Sequence, residues 1–161
     1  MLEINLKNAN ILIVDDTVAN IDLLVGLLEK LGYTSIKSTT DPCSAVNLFK
    51  TFQPDIILLD LLMPQLSGVE VLKSIVQLIP KAEYLPILVL TAVISPEVRT
   101  EVLMAGAKDF LSKPFNLIEV GLRIKNLLET RFLYQQIETR NQILNEDIKL
   151  LLNIMDEGYR K

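Results

Sequence analysis

The segment Ile56-Ile-Leu-Leu-Asp-Leu-Leu-Met-Pro-Gln-Leu-Ser-Gly68 contains the pattern that decides the fold. It opens with an apolar run, Ile56 to Leu59, that does not alternate with polar residues. Strands covered on both faces, as in a parallel sheet, have this pattern. The run ends at a carboxylate, Asp60. We therefore predict a buried parallel strand with Asp60 at its carboxyl end.

Four further segments are predicted to be strands of the same sheet. In chain order they are 11–14, 34–38 (weaker), 87–90 and 108–112 (weaker). Helices are predicted between them from apolar spacing and from a capping residue followed by proline, over 17–31, 42–52, 67–78 and 96–105. Strand and helix thus alternate from the first of the five predicted strands to the last. This order predicts an α/β fold with a doubly wound five-stranded parallel sheet and right-handed crossovers.

The bulk properties of the 161 residues narrow the function classes. Half of the residues are hydrophobic, so one domain with a real core is expected. The net charge of −4 argues against direct binding of nucleic acid, which needs a basic face. No apolar run reaches the ~18 residues of a membrane span, and the N-terminus does not resemble a signal peptide. The single cysteine, Cys43, excludes an intramolecular disulfide and fits a cytoplasmic location.

The chain contains no histidine. This excludes a Ser-His-Asp triad, a histidine-ligated zinc and a phosphohistidine within the chain. Any chemistry must rest on carboxylates, lysine and hydroxyl groups.

Polar side chains that fit this restriction follow the predicted strands. They are Asp15 and Asp16 after the first strand, Asp60 after the third, Thr91 after the fourth and Lys113 after the fifth. The carboxyl ends of parallel strands meet at one edge of the sheet, where sites form in such folds. Three neighbouring carboxylates repel one another, and a divalent cation removes that conflict. A set of oxygen ligands without histidine or cysteine points to Mg²⁺.

Asp60 could attack phosphorus and form an acyl phosphate. Such a transfer needs in-line positioning and neutralised charge. Mg²⁺ and Lys113 could supply the positive charge, and the Thr91 hydroxyl a hydrogen bond. Taken singly, Asp16 could cap a helix, Thr91 could end a strand and Lys113 could be a surface lysine. Only their joint placement indicates a site.

The same residues carry a resemblance to a known family. Asp60 to Gly68 resembles the signature of response-regulator receiver domains: aspartate, two residues, Met-Pro, three residues, glycine. Further markers match in order and spacing: Asp15-Asp16, Thr91-Ala92, Ala105-Gly-Ala107 and Lys113-Pro-Phe115. The resemblance covers about residues 8–127. It implies a flavodoxin-like sheet of order 2-1-3-4-5 and a signalling receiver that catalyses only its own phosphoryl transfer and slow dephosphorylation.

The resemblance also implies partners and residue roles. A sensor histidine kinase or phosphotransfer protein would donate a phosphoryl group to Asp60. Mg²⁺ would be held by Asp15, Asp16, Asp60 and the backbone carbonyl of Leu62, and the Lys113–Pro114 peptide would be cis. Phe110 would be the switch aromatic that couples to Thr91. Leu62 and Val93 are apolar where polar side chains can position an attacking water, so we expect a long-lived acyl phosphate.

Residues 128–161 are predicted to be a helical extension. A heptad pattern begins at Leu127, and no glycine interrupts it before Gly158. The seam residues are Leu127, Thr130, Tyr134, Ile137, Asn141, Leu144, Ile148, Leu151 and Met155. This pattern predicts a parallel coiled-coil homodimer in which Asn141 fixes the register. A helix folded back on its own domain is the alternative. We expect the extension to link residues 8–127 to a missing output domain; a natural end would make the chain a dimerisation adaptor.

Three other functions are alternatives to a phosphoryl-accepting receiver. A phosphatase of the haloacid dehalogenase type would need its two acids two residues apart, whereas Asp15 and Asp16 are adjacent. A flavodoxin-like nucleotide or flavin binder would need a loop rich in Gly, Ser and Thr after the first strand. A degenerate receiver that acts only through protein contacts stays open, because intact site residues do not prove phosphorylation.

Overall fold

A computed structural model describes residues 5–92 and 95–159 of the protein. Val93 lies outside the described residues, so its expected role has no structural counterpart here. Five parallel strands form one sheet in the order β2-β1-β3-β4-β5. They are β1 (Asn10–Val14), β2 (Ser35–Thr39), β3 (Ile56–Leu59), β4 (Ile87–Thr91) and β5 (Asp109–Ser112). The predicted fold class and strand order are confirmed.

Five α-helices cover the two faces of the sheet. They are α1 (Val18–Lys30), α2 (Ala45–Phe52), α3 (Gly68–Val76), α4 (Pro96–Met104) and α5 (Leu117–Tyr159), and short 3₁₀ turns lie at Leu6–Asn8 and Pro42–Ser44. The helix predicted over 42–52 therefore begins as a 3₁₀ turn. There the Asp41 carboxylate accepts hydrogen bonds from the Cys43 N–H and the Ser44 hydroxyl, and the chain becomes α-helical at Ala45.

The continuous apolar strands are explained by two core layers, one on each face of the sheet. Because successive side chains of a strand point to opposite faces, a strand with both faces covered needs apolar residues at every position. In β3, Ile56 and Leu58 join the layer beneath α1 and α5, whereas Ile57 and Leu59 join the layer beneath α2, α3 and α4. The edge strand β2 is only partly buried, which is why its sequence signal was weak.

The last helix, α5, is 43 residues long and has two parts. Its first turns pack on the domain through Val120, Ile124 and Leu128, all fully buried, and through the buried Arg131. These contacts continue beyond the expected boundary at residue 127. Residues 137–158 are exposed throughout. Among the residues that the structure describes, no helix is long and apolar enough to cross a membrane.

Candidate functional site

Three carboxylates meet at the carboxyl edge of the sheet. Asp15 follows β1, and Asp60 follows β3, where its backbone N–H donates to the Val14 carbonyl at 2.9 Å. Asp15 and Asp60 are 2% and 5% exposed, while Asp16 is half-buried. One ligating oxygen from each of the three residues lies within 4.8 Å of the others. The sheet topology thus assembles the predicted acidic cluster from segments far apart in sequence.

Lys113 joins two of these acids. Its Nζ lies 2.7 Å from Asp15 Oδ2 and 3.2 Å from Asp60 Oδ2. The lysine is held in place by its own backbone, because its N–H donates to the Thr91 carbonyl at 2.8 Å. The Lys113–Pro114 peptide is cis, as the resemblance implied. One partly buried ammonium therefore offsets part of the charge of two buried carboxylates.

The Asp60 carboxylate is unusual in its ionisation. Burial raises its pKa above the ordinary value, and the charge of Asp15 adds to this effect. The Lys113 ammonium and the hydrogen bond from the Leu62 N–H, 3.3 Å from Asp60 Oδ1, act in the opposite direction without cancelling it. The ionised carboxylate is therefore costly to keep at this position, and added positive charge would stabilise it.

Thr91 and Phe110 share a small cavity behind the acidic cluster. Thr91 is the last residue of β4 and is buried, whereas Phe110 lies on β5 and is partly buried. Leu61, Val98 and Val102 complete most of the apolar lining. The guanidinium of Arg99 lies over the Phe110 ring, 4.3 Å from its centroid. The two predicted switch residues are thus brought together, and Arg99 covers the aromatic one.

Gly68 explains why the motif after Asp60 ends in glycine. A Cβ at this position would lie 2.1 Å from the Asp60 carbonyl oxygen and 2.5 Å from Leu61 Cα. The Gly68 N–H also donates to the Leu61 carbonyl at 3.0 Å. The start of α3 can therefore approach the Asp60 backbone only without a side chain. A capping box formed by Ser67 and Glu70 fixes that start.

The donor set fits a hard divalent cation. All three side chains of the cluster offer carboxylate oxygens, the ligands that Mg²⁺ and Ca²⁺ prefer. Two of the carboxylates are buried with one lysine between them, so the cluster keeps an excess of negative charge. The acidic cluster of Asp15, Asp16 and Asp60 could therefore bind a metal.

Comparison with known proteins decides the family. The profile of the response regulator receiver domain matches residues 11–125. The chain belongs to the response regulator receiver domain family. These are receiver domains of two-component response regulators, which are phosphorylated on an aspartate.

Individual relatives agree with this assignment. The receiver is 37% identical over 134 residues to the transcriptional regulatory protein YvrH of Bacillus subtilis, covering 83% of this chain and 54% of YvrH. It is 35% identical over 150 residues to the alkaline phosphatase synthesis transcriptional regulatory protein PhoP of the same species, covering 89% of this chain and 61% of PhoP. The chain thus spans little more than half the length of these curated relatives.

A solved structure shows the same architecture. The signal receiver domain of a putative Luxo repressor protein from Vibrio parahaemolyticus superposes with a TM-score of 0.75 at 26% identity. The match covers 81% of this chain and 98% of that domain. About a fifth of this chain therefore lies outside the match.

The structure also reveals site residues that the sequence reasoning missed. Asn20, in the first turn of α1, donates to both oxygens of Asp15 at 3.1 and 3.2 Å. Arg99 was missed because nothing in α4 signals a contact with β5. Asn20 had a weak signal, since a residue four or five positions after a strand-ending acid returns to the same edge on the first helical turn.

Proposed function

We propose that Asp60 of this receiver accepts a phosphoryl group from a sensor histidine kinase or phosphotransfer protein. The observation that carries the proposal is the position of the Lys113 ammonium, within 3.2 Å of the Asp60 carboxylate and 2.7 Å of Asp15. Phosphoryl transfer needs a positioned nucleophile and positive charge near the phosphoryl oxygens. Asp60 is the acid of this cluster that ends the central strand and has Lys113 on one oxygen and the Leu62 N–H on the other.

Mg²⁺ is the proposed metal, held by Asp15, Asp16, Asp60 and the backbone carbonyl of Leu62. When bound, it would offset the charge of the carboxylates and of the phosphoryl oxygens. The residues around it have separate tasks. Asp60 is the nucleophile, Lys113 supplies a fixed positive charge, and the Thr91 hydroxyl donates a hydrogen bond to a phosphoryl oxygen.

Thr91 and Phe110 are proposed to couple phosphorylation of Asp60 to a change in conformation. Movement of Thr91 toward a phosphoryl group would change the packing of the small cavity that both residues line. Phe110 has no hydroxyl, so its inward position must be stabilised by packing alone. Arg99, which covers the ring, would have to move with it.

The acyl phosphate is proposed to be long-lived. The Leu62 backbone contacts the Asp60 carboxylate, so the apolar Leu62 side chain originates beside the acceptor. Together with Val93 it offers no hydrogen bond to an attacking water. Loss of that positioning should extend the lifetime to roughly minutes or hours.

The extension is proposed to form a parallel homodimer. From Ile137 onward the seam side chains are exposed, and Leu144, Ile148, Leu151 and Met155 are each more than half exposed. An apolar stripe of this length on an unbroken helix is typical of a coiled coil. The N-terminal part of the seam contacts the chain's own domain. Leu127 packs on the core, and the Tyr134 ring stacks on the Tyr84 ring with the centroids 4.9 Å apart. An output domain would be joined through this helix.

Incubation with acetyl phosphate and Mg²⁺, followed by intact mass measurement, tests the phosphoacceptor. We expect one added phosphoryl group on the wild type and none on Asp60→Asn. Asp55→Asn is the control, because Asp55 is a partly buried aspartate at the opposite end of β3 from the buried Asp60. Equal labelling of Asp60→Asn and the wild type would contradict the proposal. Failure of the wild type to be labelled by either a phosphorylated histidine kinase or acetyl phosphate would also contradict it.

A further inference from the structure

The carboxylate of Asp15 accepts hydrogen bonds from two donors besides the Lys113 ammonium. Its Oδ1 accepts from the Thr17 N–H at 2.9 Å, and its Oδ2 accepts from Lys113 Nζ at 2.7 Å. The Asn20 amide donates to both oxygens, at 3.1 and 3.2 Å. Asp15 is 2% exposed, so a lost donor would not be replaced freely by water.

These donors differ in whether they also contact Asp60. Lys113 is shared, because the same Nζ also lies 3.2 Å from Asp60. Asn20 and the Thr17 N–H have Asp15 as their acceptor at this site and do not contact Asp60 in the described hydrogen bonds. A phosphoryl group on Asp60 would bring more negative charge within reach of the one ammonium. Its share of interaction with Asp15 would then fall.

We propose that Asn20 is a positioning residue that keeps the Asp15 carboxylate oriented when Lys113 turns to the phosphoryl group on Asp60. This inference rests on the proposed function of Asp60 and Lys113. Asn20 is suited to the task because a neutral amide donates without adding charge to a crowded acidic cluster. It is placed by the first turn of α1, where its backbone N–H donates to the Thr17 carbonyl at 3.0 Å.

The role makes a state-dependent prediction. In the free receiver Lys113 and Thr17 still hold Asp15, so Asn20→Ala should change Mg²⁺ affinity by much less than about tenfold, the lower end of the usual cost of losing a group that orients a metal ligand. With beryllofluoride, a phosphoryl mimic, Lys113 is engaged elsewhere. The Mg²⁺ concentration needed for half-maximal beryllofluoride binding should then rise about tenfold, the usual scale for groups that orient a metal ligand.

Both quantities are measured on the full chain. Calorimetry gives the affinity for Mg²⁺ alone. NMR shifts, or the intrinsic fluorescence of tyrosine in this chain without tryptophan, give the Mg²⁺ concentration for half-maximal beryllofluoride binding. Asn47→Ala is the matched control, because Asn47 is an exposed asparagine in α2. Equal changes in both quantities would indicate a general structural effect and overturn the inference, and no change in either would also overturn it. If the wild type fails to bind beryllofluoride, the proposed function itself fails; if it binds and Asn20→Ala matches it, only the role of Asn20 fails.

Discussion

At the scale of single residues, the site is a balance between burial and charge. Asp60 is nearly inaccessible to water, and burial outweighs Lys113 and the Leu62 N–H in setting its pKa. The folded state therefore binds a proton at Asp60 more readily than the unfolded chain does. Stability that depends on this group is present at low pH and is lost as pH rises from the ordinary aspartate pKa through the raised one.

Substitution of Asp60 by asparagine should consequently stabilise the metal-free receiver at neutral pH. The gain should be larger at about pH 7 than at about pH 4, because the wild-type carboxyl is less ionised at the lower pH. Urea unfolding of both proteins at the two pH values, without Mg²⁺, measures it. A gain that grows as the pH is lowered would contradict the assignment of burial as the dominant cause.

A second residue-scale prediction concerns Leu62. Leu62→Asn introduces a side chain that can hydrogen-bond an attacking water next to the acceptor, so the acyl phosphate should decay about tenfold faster. Decay after removal of acetyl phosphate, followed by intact mass, gives the rate. Leu62→Met is the control because it stays apolar with a similar volume. Equal rates for the asparagine and methionine variants would count against the water-positioning argument.

At the scale of elements, close approach of α3 to the end of β3 positions Asp60. A methyl group at Gly68 would meet backbone atoms of Asp60 and Leu61, which cannot turn aside as a flexible side chain could. Gly68→Ala should destabilise the receiver by about 1–3 kcal/mol and slow phosphorylation, because the Asp60 backbone must shift.

A glycine elsewhere in the chain provides the control for that change. Gly26 lies in the interior of α1, and a Cβ there meets nothing within 4 Å. Gly26→Ala should therefore stabilise the protein by about 0.5–1 kcal/mol through helix propensity alone. Denaturant unfolding compares the two variants, and similar effects of both would refute the steric explanation for Gly68.

A second element-scale contact fixes the direction in which α5 leaves the domain. The buried Arg131 donates to the Tyr84 carbonyl at 2.8 Å and pairs with Glu83 at 2.7 Å and Asp55 at 3.7 Å. These partners lie just before β3 and β4, at the opposite end of the sheet from Asp60. The extension is therefore attached to the same two strands that carry Asp60 and Thr91.

Removal of this guanidinium should loosen that attachment. Arg131→Ala should destabilise the domain by about 2 kcal/mol, because the part-buried Tyr84 carbonyl loses its guanidinium donor and the partly buried Asp55 loses its cationic partner. Arg140→Ala, on an exposed turn of the same helix, should change stability by less than about 0.5 kcal/mol. Urea unfolding distinguishes them, and matching effects would show that Arg131 is not anchored as described.

At the scale of the whole molecule, a compact domain presents one long exposed helix. The exposed apolar residues of α5 do not all lie on the proposed seam. Ile148 is a seam residue and Ile143 is not, yet they are 52% and 53% exposed, so burial within the chain does not distinguish them. Pairing with a second copy through the seam would distinguish them, because it would bury Ile148 and leave Ile143 exposed.

This pair tests the dimer with matched variants. Ile148→Glu should weaken self-association at least about tenfold, since it places a charge in each strand of the seam. Ile143→Glu should leave it near the wild-type value. Sedimentation equilibrium gives both constants, and equal weakening would place the interface on another face. A truncated chain should end after Gln136 rather than at 127, so that Leu128 and Arg131 remain to complete the domain.

Local patterns in the sequence accounted for most of the fold. Continuous apolar runs marked the strands, because a strand buried on both faces carries mostly apolar residues. Asp60 was found because it ends such a run. The beginning of α2 was less well predicted, since a proline after a capping aspartate suits a 3₁₀ turn as well as an α-helix. Asn20 was missed because its contact depends on how α1 sits over the edge of the sheet.

The sequence by itself determined the order of the strands along the chain, the acids at their ends, the receiver signature and the apolar stripe of the extension. These are properties of neighbouring residues, set by side-chain periodicity and backbone preference. Only the tertiary structure decided that Lys113 lies between Asp15 and Asp60, that Asn20 holds Asp15 and that Arg131 attaches α5 to the domain. Lys113 and Asp15 are 98 residues apart, and only packing of the sheet brings their charges within 2.7 Å.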